Sequence, residues 1–78
     1  MEKNLSFFYD READVLYLSK GIPYPEQESQ EIGDDMIVRL NPKTREVEGI
    51  TILSFSRRFA TADAQSIPIT AQMQLAIA

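Results

Sequence analysis

Residues 36–55 read MIVRLNPKTREVEGITILSF, two apolar runs separated by a polar segment. The first run, residues 36–40, alternates large apolar side chains, as a strand does. Residues 41–46 carry a proline at their second position, which is typical of a β-turn. Residues 47–55 are again rich in strand-forming types, so an antiparallel hairpin is predicted. Gly49, inside the second run, predicts a β-bulge or a close backbone approach.

The residues before this hairpin predict another one. Residues 5–9 are largely aromatic, residues 10–13 are polar with turn character, and residues 14–19 are β-rich. In the latter run Val15 and Tyr17 share one face, whereas Leu16 and Leu18 share the other. Both faces therefore need an apolar cover, and a cover from outside the monomer is one candidate.

A loop is predicted between the two hairpins. Gly21, Pro23 and Pro25 interrupt regular structure, and five acids without a base follow: Glu26, Glu28, Glu31, Asp34 and Asp35. A short edge strand over residues 29–32 is the alternative, because negative charge and nearby proline keep sheet edges from sticking.

The predicted fold class is mainly β (α+β), a small antiparallel sheet of two hairpins with a short C-terminal helix as an option. Residues 1–58 form the β domain, and residues 59–78 form a low-charge tail that is either part of that domain or an oligomerisation element. Within the tail, residues 60–66 are predicted to be a linker. A helix over residues 71–77, capped by Thr70, is favoured over a strand in which Met73, Leu75 and Ile77 alternate with polar or small residues.

Composition limits the function. The 78 residues make one domain, and they include no cysteine and no histidine. That absence excludes the common zinc sites, thiol nucleophiles and imidazole acid–base chemistry. A chain this small hides only about 60 % of its unfolded surface, so a second copy or another partner is expected to complete the burial.

Charge is also informative. The net charge is −4 and the pI is about 4.6, which argues against binding to nucleic acid or an anionic membrane. Residues 1–38 carry nine acids and three bases, whereas residues 39–78 carry five bases and three acids. Residues 1–10 lack the pattern of a secretory signal, and residues 67–78 are too short and too interrupted to span a bilayer. A cytoplasmic location is expected.

Three segments together resemble a known pattern: YDREADVLYL at residues 9–18, MIVRL at 36–40 and VEGITIL at 47–53. They are similar to the domain of unknown function 2283 family, small bacterial and archaeal proteins with a Tyr-Asp opening and a Gly-Ile closing strand. The resemblance covers about residues 5–58. It implies a small β-rich fold. Genes of this family sometimes lie beside small toxin-like genes, so the resemblance also implies an antitoxin or partner-binding role as an option. The tail after Arg58 departs from the short core that the family members share.

Several polar groups have a functional and a structural interpretation. Asp10, Glu12 and Asp14 offer oxygens to a hard cation, but an aspartate at a turn more often bonds to nearby backbone donors. Glu31, Asp34 and Asp35 resemble paired acid–base carboxylates, but beside Gly33 they are more typical of a solvated turn. An enzymatic alternative uses Asp10, Asp14 and Asp34 with a metal.

Aromatic and basic residues have two interpretations as well. Tyr9, Tyr17 and Tyr24 are able to bind a ligand, yet Tyr9 and Tyr17 are better explained by packing within the sheet. Arg57 and Arg58 are able to hold a phosphate or a partner carboxylate, to remain solvated, or to neutralise the acidic loop at 26–35 of this or a neighbouring chain.

The sequence therefore predicts a non-enzymatic β protein that self-associates or binds a protein partner, with an antitoxin-like protein that neutralises a small basic toxin as the alternative. No catalytic, cofactor-binding or metal-binding residue is assigned, and no cofactor is expected. The predicted partners are a homo-oligomer and another protein, not nucleic acid or membrane.

Overall fold

The computed structural model describes residues 4–60 and 64–76. Five strands form one antiparallel sheet in the order β1-β2-β5-β4-β3. The strands are β1 (Leu5–Asp10), β2 (Val15–Lys20), β3 (Glu28–Gly33), β4 (Met36–Leu40) and β5 (Val47–Ile52), and a 3₁₀ turn follows at Ser56–Phe59. The predicted mainly β class and both predicted hairpins are confirmed.

Two further sequence predictions concern β3 and the residue Gly49 of β5. β3 shows that part of the acidic segment is an edge strand, which was the alternative to a plain loop. The bulge predicted at Gly49 is also confirmed, because the pairing of β4 with β5 shifts between Arg39 and Leu40. The Arg39 side chain lies over Gly49, so close that an added Cβ would come within 2.6 Å of its Nη2 atom. A side chain at this position would therefore require the guanidinium end of the flexible Arg39 side chain to move aside.

The sheet has one face that the rest of the chain covers, here called the inner face. Cross-strand neighbours point to the same side, so the register places six central apolar residues there: Leu16, Leu18, Ile50, Ile52, Met36 and Val38. Among the described residues the buried core consists of Val15, Met36, Val38, Leu40 and Ile52, and none of them is completely buried. The core is therefore thin, as the length of the chain predicted.

The 3₁₀ turn and the start of the tail lie over the inner face. Phe55, Phe59 and Ile67 line a hollow of about 350 Å³ together with Leu16, Leu18, Met36 and Ile52 of the sheet. The chain itself therefore supplies part of the cover that its strands require.

The tail is where the sequence prediction was wrong. Residues 71–76 form neither a helix nor a strand, and Ile77 lies outside the described residues, as do residues 61–63 of the predicted linker. An isolated segment of this length is too short to be a stable helix in water, because forming the first turn is unfavourable. Helix propensity alone therefore does not decide its structure.

Candidate functional site

One edge of the sheet, at β1, is open and apolar. This strand pairs with β2 on one side only, and its sequence, LSFFYD, is uncharged until Asp10. The side chains of Leu5, Phe7 and Phe8 are 59 %, 77 % and 63 % exposed. An exposed apolar edge strand offers both main-chain hydrogen bonds and apolar area to another strand.

The opposite edge of the sheet, at β3, has a different character. Glu28 and Glu31 are exposed there, and the pairing with β4 is interrupted between Glu31 and Gly33. Charge and bulges are common ways in which an edge strand is kept from pairing with another chain. The two edges of one sheet therefore differ in their capacity to associate.

Asp14 fixes the turn between β1 and β2. Its φ of +57° is left-handed, a conformation that aspartate tolerates better than most residues. Its carboxylate accepts hydrogen bonds from the Tyr9 hydroxyl at 2.6 Å, the Ser56 amide at 3.0 Å and the Ser56 hydroxyl at 2.9 Å. The bond from Tyr9, followed by those from Ser56, lowers the pKa of Asp14. Asp14 thus joins the first hairpin to the segment after β5.

This geometry supports the structural interpretation of the first acidic group. Asp10 accepts a hydrogen bond from the Ala13 amide at 3.2 Å, the turn contact that the sequence predicts. Glu12 is exposed, and the oxygens of Asp14 are occupied by donors of the protein itself. Within residues 4–60 and 64–76 no group of three or more acids is arranged to hold a metal ion.

A second polar cluster surrounds Glu48, which the sequence did not single out. Its carboxylate accepts hydrogen bonds from the Tyr24 hydroxyl at 2.6 Å, Gln27 Nε2 at 3.1 Å and Asn41 Nδ2 at 3.3 Å. The bond to Glu48 raises the pKa of Tyr24 to about 12. The cluster fastens the loop before β3 to the bulged start of β5. The one sequence signal for it was an acid beside Gly49 in an otherwise apolar strand.

The other candidate acids lie at the end of β3 and in the turn that follows it. Glu31, Asp34 and Asp35 are all exposed, which agrees with the solvated turn that the sequence favours. Arg58 reaches this turn by donating a hydrogen bond to the main-chain carbonyl of Asp34, and Arg57 is exposed. The contact of Arg58 with the acidic segment is thus made to main chain.

Aromatic packing accounts for two of the three tyrosines. Tyr17 stacks on Phe8 with ring centroids 6.1 Å apart, and Tyr9 meets Phe55 edge to face at 5.7 Å. Phe55 in turn packs against Phe59 at 5.4 Å. The sheet-packing interpretation of Tyr9 and Tyr17 is confirmed, and Tyr24 belongs to the Glu48 cluster.

These features define a small antiparallel β domain with one open apolar edge. Residues 7–56 match the family described as "Protein of unknown function (DUF2283)". Because this match spans more than half of the chain, the protein belongs to that family, as the resemblance of its three motifs predicted. No curated protein and no solved structure matches the chain. Over the part of the chain described here, no helix has the length and apolar character needed to cross a membrane.

Proposed function

We propose that this chain is a non-enzymatic interaction module that acts by associating with a second copy of itself. The observation that carries the proposal is the open edge at β1, where Leu5, Phe7 and Phe8 are more than half exposed. Large exposed apolar side chains along an unpaired edge strand are typical of a protein–protein contact.

The thin core supports the same proposal. The described residues contain five buried apolar side chains, and none is completely buried. In a domain of this size the hydrophobic stabilisation of a monomer is small, and association adds to it by mass action. A second copy therefore supplies burial that the single chain lacks.

Other features of the chain fit a module of this kind. The net charge of −4 disfavours attraction to nucleic acid or an anionic membrane. The polar clusters around Asp14 and Glu48 are occupied with intramolecular hydrogen bonds that hold loops to the sheet. We therefore assign no cofactor, metal or catalytic role, and we place the module in the cytoplasm.

Sedimentation velocity over the micromolar range tests self-association. We expect the fraction sedimenting at twice 8.9 kDa to rise with protein concentration. A folded species that stays at 8.9 kDa across the whole range contradicts the proposal.

A second candidate function is an antitoxin-like one, in which the acidic segment covers a small basic protein. It is favoured by the exposure of Glu26, Glu31, Asp34 and Asp35, which are distributed along the β3 edge of the sheet. Co-expression with any small basic protein encoded next to the gene tests it. A salt-sensitive complex that is lost when Glu31, Asp34 and Asp35 are replaced together by the matching amides supports this function, and no complex argues against it.

A further inference from the structure

We infer that the second copy docks on β1, so that two β1 strands pair antiparallel about a two-fold axis at Phe7. The two five-stranded sheets then form one continuous sheet of ten strands. The inference rests on the proposed self-association and adds to it the contact strand and its register.

The first support is the contrast between the two edges of the sheet. β1 keeps an unbroken register with β2 from Leu5 to Asp10, and it contains no proline, lysine or bulge. β3 carries exposed Glu28 and Glu31 and an irregular register. Pairing of β3 with its own copy would bring like charges together, whereas pairing of β1 would not.

Symmetry then limits the register. When two identical strands pair antiparallel, the two-fold axis is perpendicular to the sheet, and residues directly opposite each other point to the same face. Since side chains alternate between faces, one residue of the strand must lie opposite its own copy. The candidates at the centre of β1 are Phe7 and Phe8.

Composition selects Phe7. An axis at Phe7 places Leu5 opposite Tyr9 and Ser6 opposite Phe8, so the five paired residues, 5–9, are all uncharged. An axis at Phe8 would instead bring the charged Asp10 into the contact. Phe7 is also the most exposed of the large apolar residues of the strand, at 77 %, and two facing phenylalanines form a favourable cross-strand pair.

The same axis makes the inner faces of the two sheets continuous. Phe7 is paired with Leu18 and therefore lies on the inner face, beside the hollow that the tail covers. The exposed Phe7 rings of the two copies then cover each other at the centre of the larger sheet. Phe8 remains on the other face, stacked on Tyr17.

A charge-swap experiment tests the contact. Phe7→Lys and Phe7→Glu each place like charges opposite each other, and each is expected to weaken self-association about tenfold or more. An equimolar mixture of the two variants is expected to restore the dimer as a heterodimer, because Lys then faces Glu. Ile22→Lys and Ile22→Glu are matched controls, since Ile22 is 86 % exposed but lies outside the strand.

Cross-linking tests the register. The sequence contains no cysteine, so Phe7→Cys, Phe8→Cys and Ile22→Cys each introduce one thiol. Residues directly opposite in an antiparallel pair have Cβ atoms about 4.5–5.5 Å apart, near the separation that a disulfide needs. We expect mild oxidation to cross-link Phe7→Cys fastest.

The outcomes separate the two proposals. If the unmodified protein stays monomeric, the proposed self-association itself fails. If it dimerises but the Phe7 charge variants dimerise equally well, or if Ile22→Cys cross-links fastest, self-association stands and docking on β1 is overturned. If Phe8→Cys cross-links fastest, the register with its axis at Phe7 is overturned. Circular dichroism and thermal unfolding of each variant at low concentration establish that the monomer fold is retained.

Discussion

Replacement of Val38 by alanine tests the description of the core. Val38 is only 3 % exposed, and it lies on β4 between Ile50 of β5 and Gln30 of β3. The change removes two buried methyl groups at about 0.8 kcal/mol each, and the cavity left behind brings the expected loss to about 2 kcal/mol. In a domain of this size such a loss lowers Tm by roughly 8–16 °C.

The measurement is urea and thermal unfolding in dilute solution, where association contributes least. Phe7→Ala is the matched control, because it removes more apolar volume from a side chain that is 77 % exposed. A surface change of this kind alters the free energy of unfolding by no more than about 0.5 kcal/mol. Equal losses for the two variants, or no loss for Val38→Ala, would refute the assignment of the core.

Further predictions concern the polar clusters and the bulge. Because the pKa of Tyr24 is raised to about 12, the stability that this hydroxyl contributes is present below pH 10 and is lost as pH rises toward 12. Tyr24→Phe should remove the latest phase of the phenolate absorbance titration, and an unchanged titration contradicts this. Because the pKa of Asp14 is lowered, its carboxylate stabilises the fold at pH values above the usual pKa of 3.8, and this stabilisation is lost as pH falls below that value. Asp14→Asn should therefore flatten the acid limb of the plot of stability against pH, and an unchanged slope argues against the cluster. Gly49→Ala should cost little stability in urea unfolding, because the atoms that an added Cβ meets are the end of the flexible Arg39 side chain, and the cost should be smaller still in an Arg39→Ala background. Equal losses in both backgrounds would show that the crowding is not with Arg39.

Much of the sheet is encoded by local patterns. The alternation of Met36, Val38 and Leu40 predicted which side of β4 is buried, and Gly49 predicted the bulge in β5. Two of the three family motifs lie on these same strands and the third lies on β1 and β2, which explains why they could be recognised from the sequence. Local patterns are informative here because strand, turn and bulge each have a characteristic residue type.

The features that depend on contacts between distant segments were not predictable. No local signal indicates that β5 lies beside β2, or that Tyr24 and Glu48, 24 residues apart, share a hydrogen bond. The helix prediction for the tail failed for a related reason. The residues of the tail suit a helix, but the segment is too short to form a stable helix alone. The open edge at β1 follows from the strand order and so could only be identified in the structure.

The junction of β2 with β5 has a consequence for synthesis of the protein. Leu18 pairs with Ile50 and Leu16 with Ile52, so β2 gains its second neighbour only after more than thirty further residues have been made. An isolated two-stranded hairpin is at best marginally stable in water. Before β5 is made, the first hairpin therefore leaves the edges of both β1 and β2 unpaired, whereas in the finished sheet β5 covers the edge of β2. Unpaired strand edges of this kind favour misassociation while the chain is incomplete.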